Sequence, residues 1–352
     1  MRNSLIIYLI ALSLVSLIIV GCAHTNQQLL HPSFNTQRVG HSLIKQIKGR
    51  VFGVTFSPDG KLLATAGGDG TVRIWDTGTW EESRVLSDGR AAVSVEFSPN
   101  GKLLAVGTVG KKVRLFSTVT WKTVSTLTVP HLWMAVFIAF SPDSRRLVAT
   151  SGGSVVIWSL VNNEIVRTLG EFKDFIFAVA FSPNGKRLAA GSYDGTVRIW
   201  NTSNWRPVYT FTNTGRINSL AFSPNGKWLA AGSNEGTVRI WNTSNWRQVY
   251  IFTGIGEVNS IAFSPNGKWL AAGSYDGTNG TVRIWNTSNW RLASTLSGHK
   301  GVIMQIVFSN DCKRLASASD DHTVRIWNTT TWRPVRIILP IIGRSYQPNH
   351  LK

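Results

Sequence analysis

Val179-Ala-Phe-Ser-Pro-Asn-Gly-Lys-Arg-Leu-Ala-Ala-Gly-Ser-Tyr-Asp-Gly-Thr-Val-Arg-Ile-Trp200 is the stretch whose reading decides the fold. Its apolar runs are short and are broken by Pro-Asn-Gly at 183–185 and Tyr-Asp-Gly at 193–195. Pro presets one turn dihedral and Gly supplies a positive one, so each break reads as a tight hairpin turn. The runs themselves are rich in Val, Ile, Phe and Trp, as strands packed on both faces prefer. A further strand follows at Trp205-Arg-Pro-Val-Tyr-Thr-Phe211. The phrase recurs seven times. It closes on Trp75, Phe116, Trp158, Trp200, Trp241, Trp285 and Trp327, at intervals of 41, 42, 42, 41, 44 and 42 residues. Phe-Ser-Pro-Asp/Asn opens six copies, at Phe56, Phe97, Phe140, Phe181, Phe222 and Phe263, and decays to Phe308-Ser-Asn-Asp in the seventh. A period of about 40–45 residues is that of a four-stranded propeller blade. One such sheet cannot bury both faces alone, whereas seven stacked radially can. The repeat therefore predicts an all-β protein, a seven-bladed β-propeller of four-stranded antiparallel blades.

These residues resemble the WD-repeat β-propeller family, whose copies run from Gly-His to Trp-Asp. The resemblance covers residues 42–339. The last copy carries the family pattern in full, Gly298-His299 through Ser317, Asp321 and Trp327. The resemblance implies that His299, Ser317, Asp321 and Trp327 form a hydrogen-bonded structural tetrad inside that blade. Elsewhere the pattern has drifted. Trp-Asp survives only at Trp75-Asp76, four copies end in Trp-Asn (Asn201, Asn242, Asn286, Asn328), and no other copy keeps Gly-His.

The formal charge is +19, from 37 basic and 18 acidic residues. Asn stands where the repeat elsewhere has Asp at the four Trp-Asn sites and at Asn100, Asn184, Asn225 and Asn266; eight Asp there would give 19 − 8 = +11. The rest of the excess gathers in two turns. The first hairpin turn carries Lys61, Lys102, Arg145, Arg146, Lys186, Lys227, Lys268 and Lys313; the third carries Lys122, Arg206, Arg247, Arg291 and Arg333. In a propeller these two turns share one face, so that face is expected to be positive and to attract anionic partners such as an envelope polymer. A solvated rim that keeps the protein soluble is the alternative. Nothing points to specific nucleic-acid recognition.

Met1-Arg2-Asn3-Ser4 is followed by sixteen mostly apolar residues, Leu5 to Val20. That run suits a signal-peptide core better than a membrane span. It ends in Ile19-Val20-Gly21-Cys22, which resembles the lipobox of bacterial lipoproteins, where the Cys is lipidated and becomes the first residue. The resemblance implies lipidation at Cys22, a location in a bacterial cell envelope and, with Ala23 following, the outer membrane where there are two. The expected organisation is a signal peptide over 1–21, a flexible tether over 22–41, the propeller over 42–339 and a tail over 340–352. With Cys22 lipidated, Cys312 stands alone, at a turn position held by Gly in sister copies, and no intramolecular disulfide forms.

Catalytic signals are few. There is no Gly-x-Ser-x-Gly elbow, no Walker loop and no His-Glu-x-x-His. No two of the seven histidines have metal-ligand spacing, so no cofactor and no metal are expected. A propeller enzyme (hydrolase, lyase or quinone-dependent dehydrogenase) would need convergent acids, a nucleophile or a metal near the channel. The expected function is instead a membrane-tethered, non-catalytic scaffold for protein partners. Family practice places partners on the face carrying the start of each first strand and the second hairpin turn. Those offsets give Arg50 and Phe52; Phe175, Phe177 and Tyr193; Arg216, Asn218 and Asn234; Glu257, Asn259 and Tyr275; and Met304 and Asp320. Phe175, Phe177 and Tyr193, with off-register Trp133, are the most aromatic sector. At the ring closure Arg333–Leu339 is expected to be the outer strand of the last blade, in preference to Ser42–Ile47.

Overall fold

The computed structural model describes residues 50–87, 89–130, 136–170 and 172–338. It contains seven four-stranded antiparallel sheets, each with its strands in chain order from the inside outward. The innermost strands are Val51–Phe56, Ala92–Phe97, Ile138–Phe140, Ile176–Phe181, Ile217–Phe222, Glu257–Phe263 and Ile303–Phe308. Each touches the next round the ring, and the first touches the seventh. The protein is a closed seven-bladed propeller.

The core lies between the blades rather than in one central mass. Leu63, Leu104, Leu147, Leu188, Leu229, Leu270 and Leu315 hold one register position of the second strand, and each is fully buried. Every apolar cluster joins two consecutive blades: Ala64 and Ile74 meet Val95 and Phe97, for instance, and Ala189 and Ile199 meet Ile217 and Leu220. A buried Leu contributes about 1.5–3 kcal/mol, so each interface needs its neighbour and the ring is stable only when complete. Closure follows the same rule. Val51, Val54 and Trp75 pack with Ala316, Ile326 and Ile338, and Val54 N–H donates to Gln305 Oε1 at 2.9 Å.

Pro334–Ile338 pairs with Val324–Asn328, whose other edge is held by Arg314–Ser319. The C-terminal segment thus forms the outer strand, as its register suggested. Ser42–Ile47, Leu339, Cys22 and the tail lie outside the described residues.

Six of the fifteen Trp stand five residues after the aromatic that closes a copy and pack against the blade seams. Trp80, Trp121, Trp205, Trp246, Trp290 and Trp332 do so from left-handed backbone, with φ between 56° and 62°. A bulky residue is rarely found there. Each pays this strain by covering the seam with the preceding blade: Trp246 against Phe211 and Trp241, Trp290 against Trp228 and Phe252. Cys312 also has a positive φ, 58°, as the Gly of its sister turns do.

Candidate interaction face at the channel mouth

Six of the seven inner strands are irregular at one shared position. Register shifts fall between Val51 and Gly53, Ala92 and Ser94, Ile176 and Ala178, Ile217 and Ser219, Val258 and Ser260, and Ile303 and Gln305. The extra residues are therefore Phe52, Val93, Phe177, Asn218, Asn259 and Met304. A bulge leaves one residue out of the ladder and re-aims its side chain. All six, with Phe137 of the third blade, line a central cavity of about 300 Å³. The bulge is what turns a strand residue into a wall of the mouth.

One sector of that mouth is aromatic. Phe177 stacks on Tyr193 with ring centroids 4.2 Å apart, and Phe137 lies 5.5 Å from Phe177. Arg216 from the next blade places its guanidinium carbon 5.9 Å from the Tyr193 ring centroid. Burial, then the Glu257 carboxylate, push the Tyr193 hydroxyl up to about 12 while Arg216 pulls against them, so it stays a neutral donor. Burial also raises Glu257, against a hydrogen bond to Asn234. Beside this group Asn218 Nδ2 donates to Val258 C=O and Asn259 Oδ1, both at 3.1 Å. Asn259 Nδ2 is buried with no partner among the described residues. The arrangement offers flat apolar faces and a cation, suited to a protein surface that inserts an apolar side chain.

The other expected residues spread differently. Phe175 is not part of the stack; its N–H donates to Asp174 Oδ1 and its C=O accepts from Tyr193 N–H, so it braces the turn that holds Tyr193. Phe137 takes the third place in the trio. Phe52 is buried, 7% exposed. The Tyr275 hydroxyl donates to Gly277 C=O at 2.9 Å and serves its own turn. Arg50 lies across the mouth near Asp320, whose carboxyl burial raises and Arg50 lowers. Trp133 lies outside the described residues.

Lower in the same channel stands Glu96, the one charged residue on its wall among the described residues. Its carboxylate accepts Phe140 N–H at 3.3 Å. The side chain is half-buried by exposure, but what it exposes faces the lumen rather than open solvent. Burial pushes its pKa up to about 8, against the single backbone hydrogen bond.

In the last blade His299 Nδ1 lies 2.8 Å from Asp321 Oδ2, and His299 Nε2 lies 2.8 Å from Ser317 Oγ. Trp327 Nε1 donates to the same Oγ at 2.9 Å. Asp321 also accepts from Lys300 N–H, Thr323 N–H and Thr323 Oγ1. Burial alone would raise the Asp321 carboxyl; the hydrogen bond and charge of His299, with those donors, hold it well below the usual range. His299 is 1% exposed, so this chain of bonds is structural. The first blade keeps a fragment, Trp75 Nε1 donating to Thr65 Oγ1 at 3.0 Å. No group of three His, Cys, Asp or Glu residues suited to a metal ion occurs among the described residues.

Comparison with known proteins agrees with this geometry. The WD domain, G-beta repeat, matches residues 37–76, 80–117 and 290–328, and the IFT122 first beta-propeller matches residues 134–279. The chain is similar to the Intraflagellar transport protein 122 homolog of Danio rerio, 31% identical over 80 residues, which are 23% of this chain and 7% of that protein. It is similar to Protein tipD of Dictyostelium discoideum, 28% identical over 172 residues, 48% of this chain and 28% of that one. It is also similar to WD repeat and HMG-box DNA-binding protein 1 of Xenopus laevis, 26% identical over 151 residues, 43% and 13% of the two. These matches span less than a third of each relative's length, and the relatives are eukaryotic.

Proposed function

We propose that this chain, which carries WD40 repeats and a WD β-propeller domain, is a non-catalytic scaffold that docks a protein partner on the channel-mouth face. The observation that carries the reading is the Phe137–Phe177–Tyr193 stack with Arg216 against it. Aromatic side chains beside an Arg dominate interface energetics, because they bury large rigid surfaces at low entropic cost. The repeat names of the relatives support a binding propeller, and the cluster's chemistry lacks a nucleophile with its base.

The reading extends to a membrane tether in a bacterial envelope, through lipidation at Cys22. The apolar core Leu5 to Val20 and the Gly21-Cys22 junction support it; both precede residue 37, where the family matches begin.

A photo-crosslinking residue at Glu235, exposed beside Arg216 on the mouth face, compared with one at Lys186 on the opposite face, tests the docking. A partner captured at 235 and lost on Tyr193→Ala with Phe137→Ala, in a protein with unchanged thermal unfolding, supports it. Capture that survives both substitutions, or occurs only at 186, refutes it. Palmitate labelling of the native chain and of Cys22→Ser tests the tether separately.

A further inference from the structure

The hairpin turns at the two faces of the disc carry opposite charge. One exposed cation per blade, from Lys61 round to Lys313, stands at the same position of the first hairpin turn. Lys122, Arg206, Arg247, Arg291 and Arg333 add five exposed cations in the third turns, on the same face. Those turns hold only six acids, Asp59, Asp143, Asp311, Asp76, Glu81 and Glu164, a net of +6. The second turns, at the channel-mouth face, hold Asp69, Asp194, Glu235, Asp276, Asp320 and Asp321 against Lys111.

The eight Asn that stand in place of Asp all lie on the basic face, and they keep the hydrogen bonds that the turns require. Asp59 Oδ1 accepts from Ser57 Oγ and Lys61 N–H; Asn184 Oδ1 accepts from Ser182 Oγ and Lys186 N–H in the same way. Asp76 accepts Gly78 N–H at 2.8 Å, and Asn201 accepts Ser203 N–H at 2.8 Å. The turn needs an acceptor and not a charge. Amide for acid therefore leaves the fold alone and removes counter-charge from one face only. Half-exposed tryptophans lie among the cations: Lys227 sits over Trp228 at 4.8 Å, Arg146 over Trp205 at 5.4 Å and Arg314 over Trp80 at 5.2 Å. Trp and Lys/Arg together are the residues that settle at a bilayer's polar interface.

We propose that this face docks flat on an anionic lipid surface, its cations on headgroup phosphates and carboxylates and its tryptophans at the headgroup level. The placement of one cation per blade at one register suits a planar array of charge. The inference rests on the proposed tether in one respect, the nearness of a bilayer. A face near an anionic leaflet gains affinity with every cation it presents, and loses it with salt.

The ring closes through residues 51–338, so the test uses residues 42–352, which lack the apolar leader. Co-sedimentation is measured with vesicles of phosphatidylcholine alone and with about one third phosphatidylserine, a fraction that gives an anionic leaflet potential. Binding is expected to the anionic vesicles only and to weaken steeply with salt. Lys186→Glu, Lys227→Glu and Lys268→Glu together are expected to lower it on the order of 100-fold. Arg84→Glu, Lys173→Glu and Lys300→Glu, the same charge change placed elsewhere, are expected to lower it no more than about threefold by the general field. Equal loss in the two triple variants overturns the proposal, as does equal binding to neutral vesicles. Binding to a duplex oligonucleotide with the same lysine dependence, and none to vesicles, reassigns the face to nucleic acid. Absence of palmitate on the native chain with vesicle docking intact removes the tether alone.

Discussion

Glu96 offers the sharpest physical test, because its charge and its hydrogen bond can be separated. Glu96→Gln keeps an oxygen to accept Phe140 N–H and removes the ionisable proton. The native carboxyl titrates near 8 against 4.5 for the unperturbed group. The folded state therefore holds a proton that the unfolded chain has shed across that window. Its contribution to stability is fully present below 4.5 and is lost as the pH rises through 8. Each unit of separation is worth about 1.4 kcal/mol. Linkage then takes at most about 2.5 kcal/mol from the wild type between pH 5 and 7, and about 1.4 more between pH 7 and 9. The Gln variant has no such loss. Urea unfolding of both proteins at pH 5, 7 and 9 isolates the effect, since every other titration is common to the pair. The variant should exceed the wild type by less than about 1 kcal/mol at pH 5 and increasingly at pH 7 and 9. A difference that stays constant within about 0.5 kcal/mol, the limit of extrapolation, would falsify the lumenal burial of this carboxylate.

Asp321→Ala leaves His299, Lys300 N–H and Thr323 without their acceptor and should cost about 3 kcal/mol by chemical denaturation; a loss below about 1 kcal/mol, the worth of an ordinary hydrogen bond, contradicts a cooperative network. Because the folded Asp321 carboxyl is depressed, its contribution is present above the ordinary carboxylate value of 3.8 and disappears as the pH falls below it, which an acid titration of wild type against Asp321→Asn would reveal. Trp290→Ala and Trp290→Gly both lose a ring that is 7% exposed, about 3–5 kcal/mol, but the Gly variant should be the more stable by about 1 kcal/mol, since only it relieves a φ of 58°; Ala equal to or better than Gly refutes the strain. In Gly232→Ala the new Cβ would lie 2.5 Å from Val258 Cγ1 and 2.9 Å from Ile261 Cδ1, and the displaced inner strand should cost about 1–3 kcal/mol in thermal unfolding.

Most of the fold was legible because the repeat states each structural demand seven times. Pro-Asn-Gly and its relatives mark the turns, and the register leucines from Leu63 to Leu315 mark the blade seams. The closing strand was legible too, since Trp332-Arg-Pro-Val-Arg-Ile-Ile338 repeats the register of Trp205–Phe211. The site was only partly legible. Phe177, Tyr193 and Arg216 followed from their offsets, but Phe137 did not, because the third inner strand has no bulge and its lumen-facing residue lies three rather than four places before Phe140. Shifting that copy by one would have revealed it. Glu96 shares a register with Thr55, Ala139, Ala180, Ala221, Ala262 and Val307, so its oddity was visible, yet its pKa depends on lumen walls that only the closed ring supplies. The left-handed tryptophans show a period in the sequence and no sign of their φ.

The bulge explains why the two faces evolved under different physical rules within one repeat. At the basic face the turn residues are tied to the ladder: the acceptor at 59, 100, 143, 184, 225, 266 or 311 holds the turn closed. Only its charge is free to change, and duplication copies the Lys that follows it. At the mouth the bulged position makes no ladder pair and points into a lumen. Its side chain can therefore change without breaking a sheet, and it has: Phe52, Val93, Phe177, Asn218, Asn259 and Met304 occupy it. Even blades four to six, nearly identical elsewhere, differ there, Phe177 against Asn218 and Asn259. A repeat protein needs such a position to recognise one partner rather than seven copies of the same contact. Exchanging Phe177 for Asn should leave the blade folded, since the residue lies outside the strand register, while removing the stack on Tyr193. Unchanged thermal unfolding with lost capture at position 235 is the expected result. A folded propeller that still captures its partner would separate the mouth from recognition altogether.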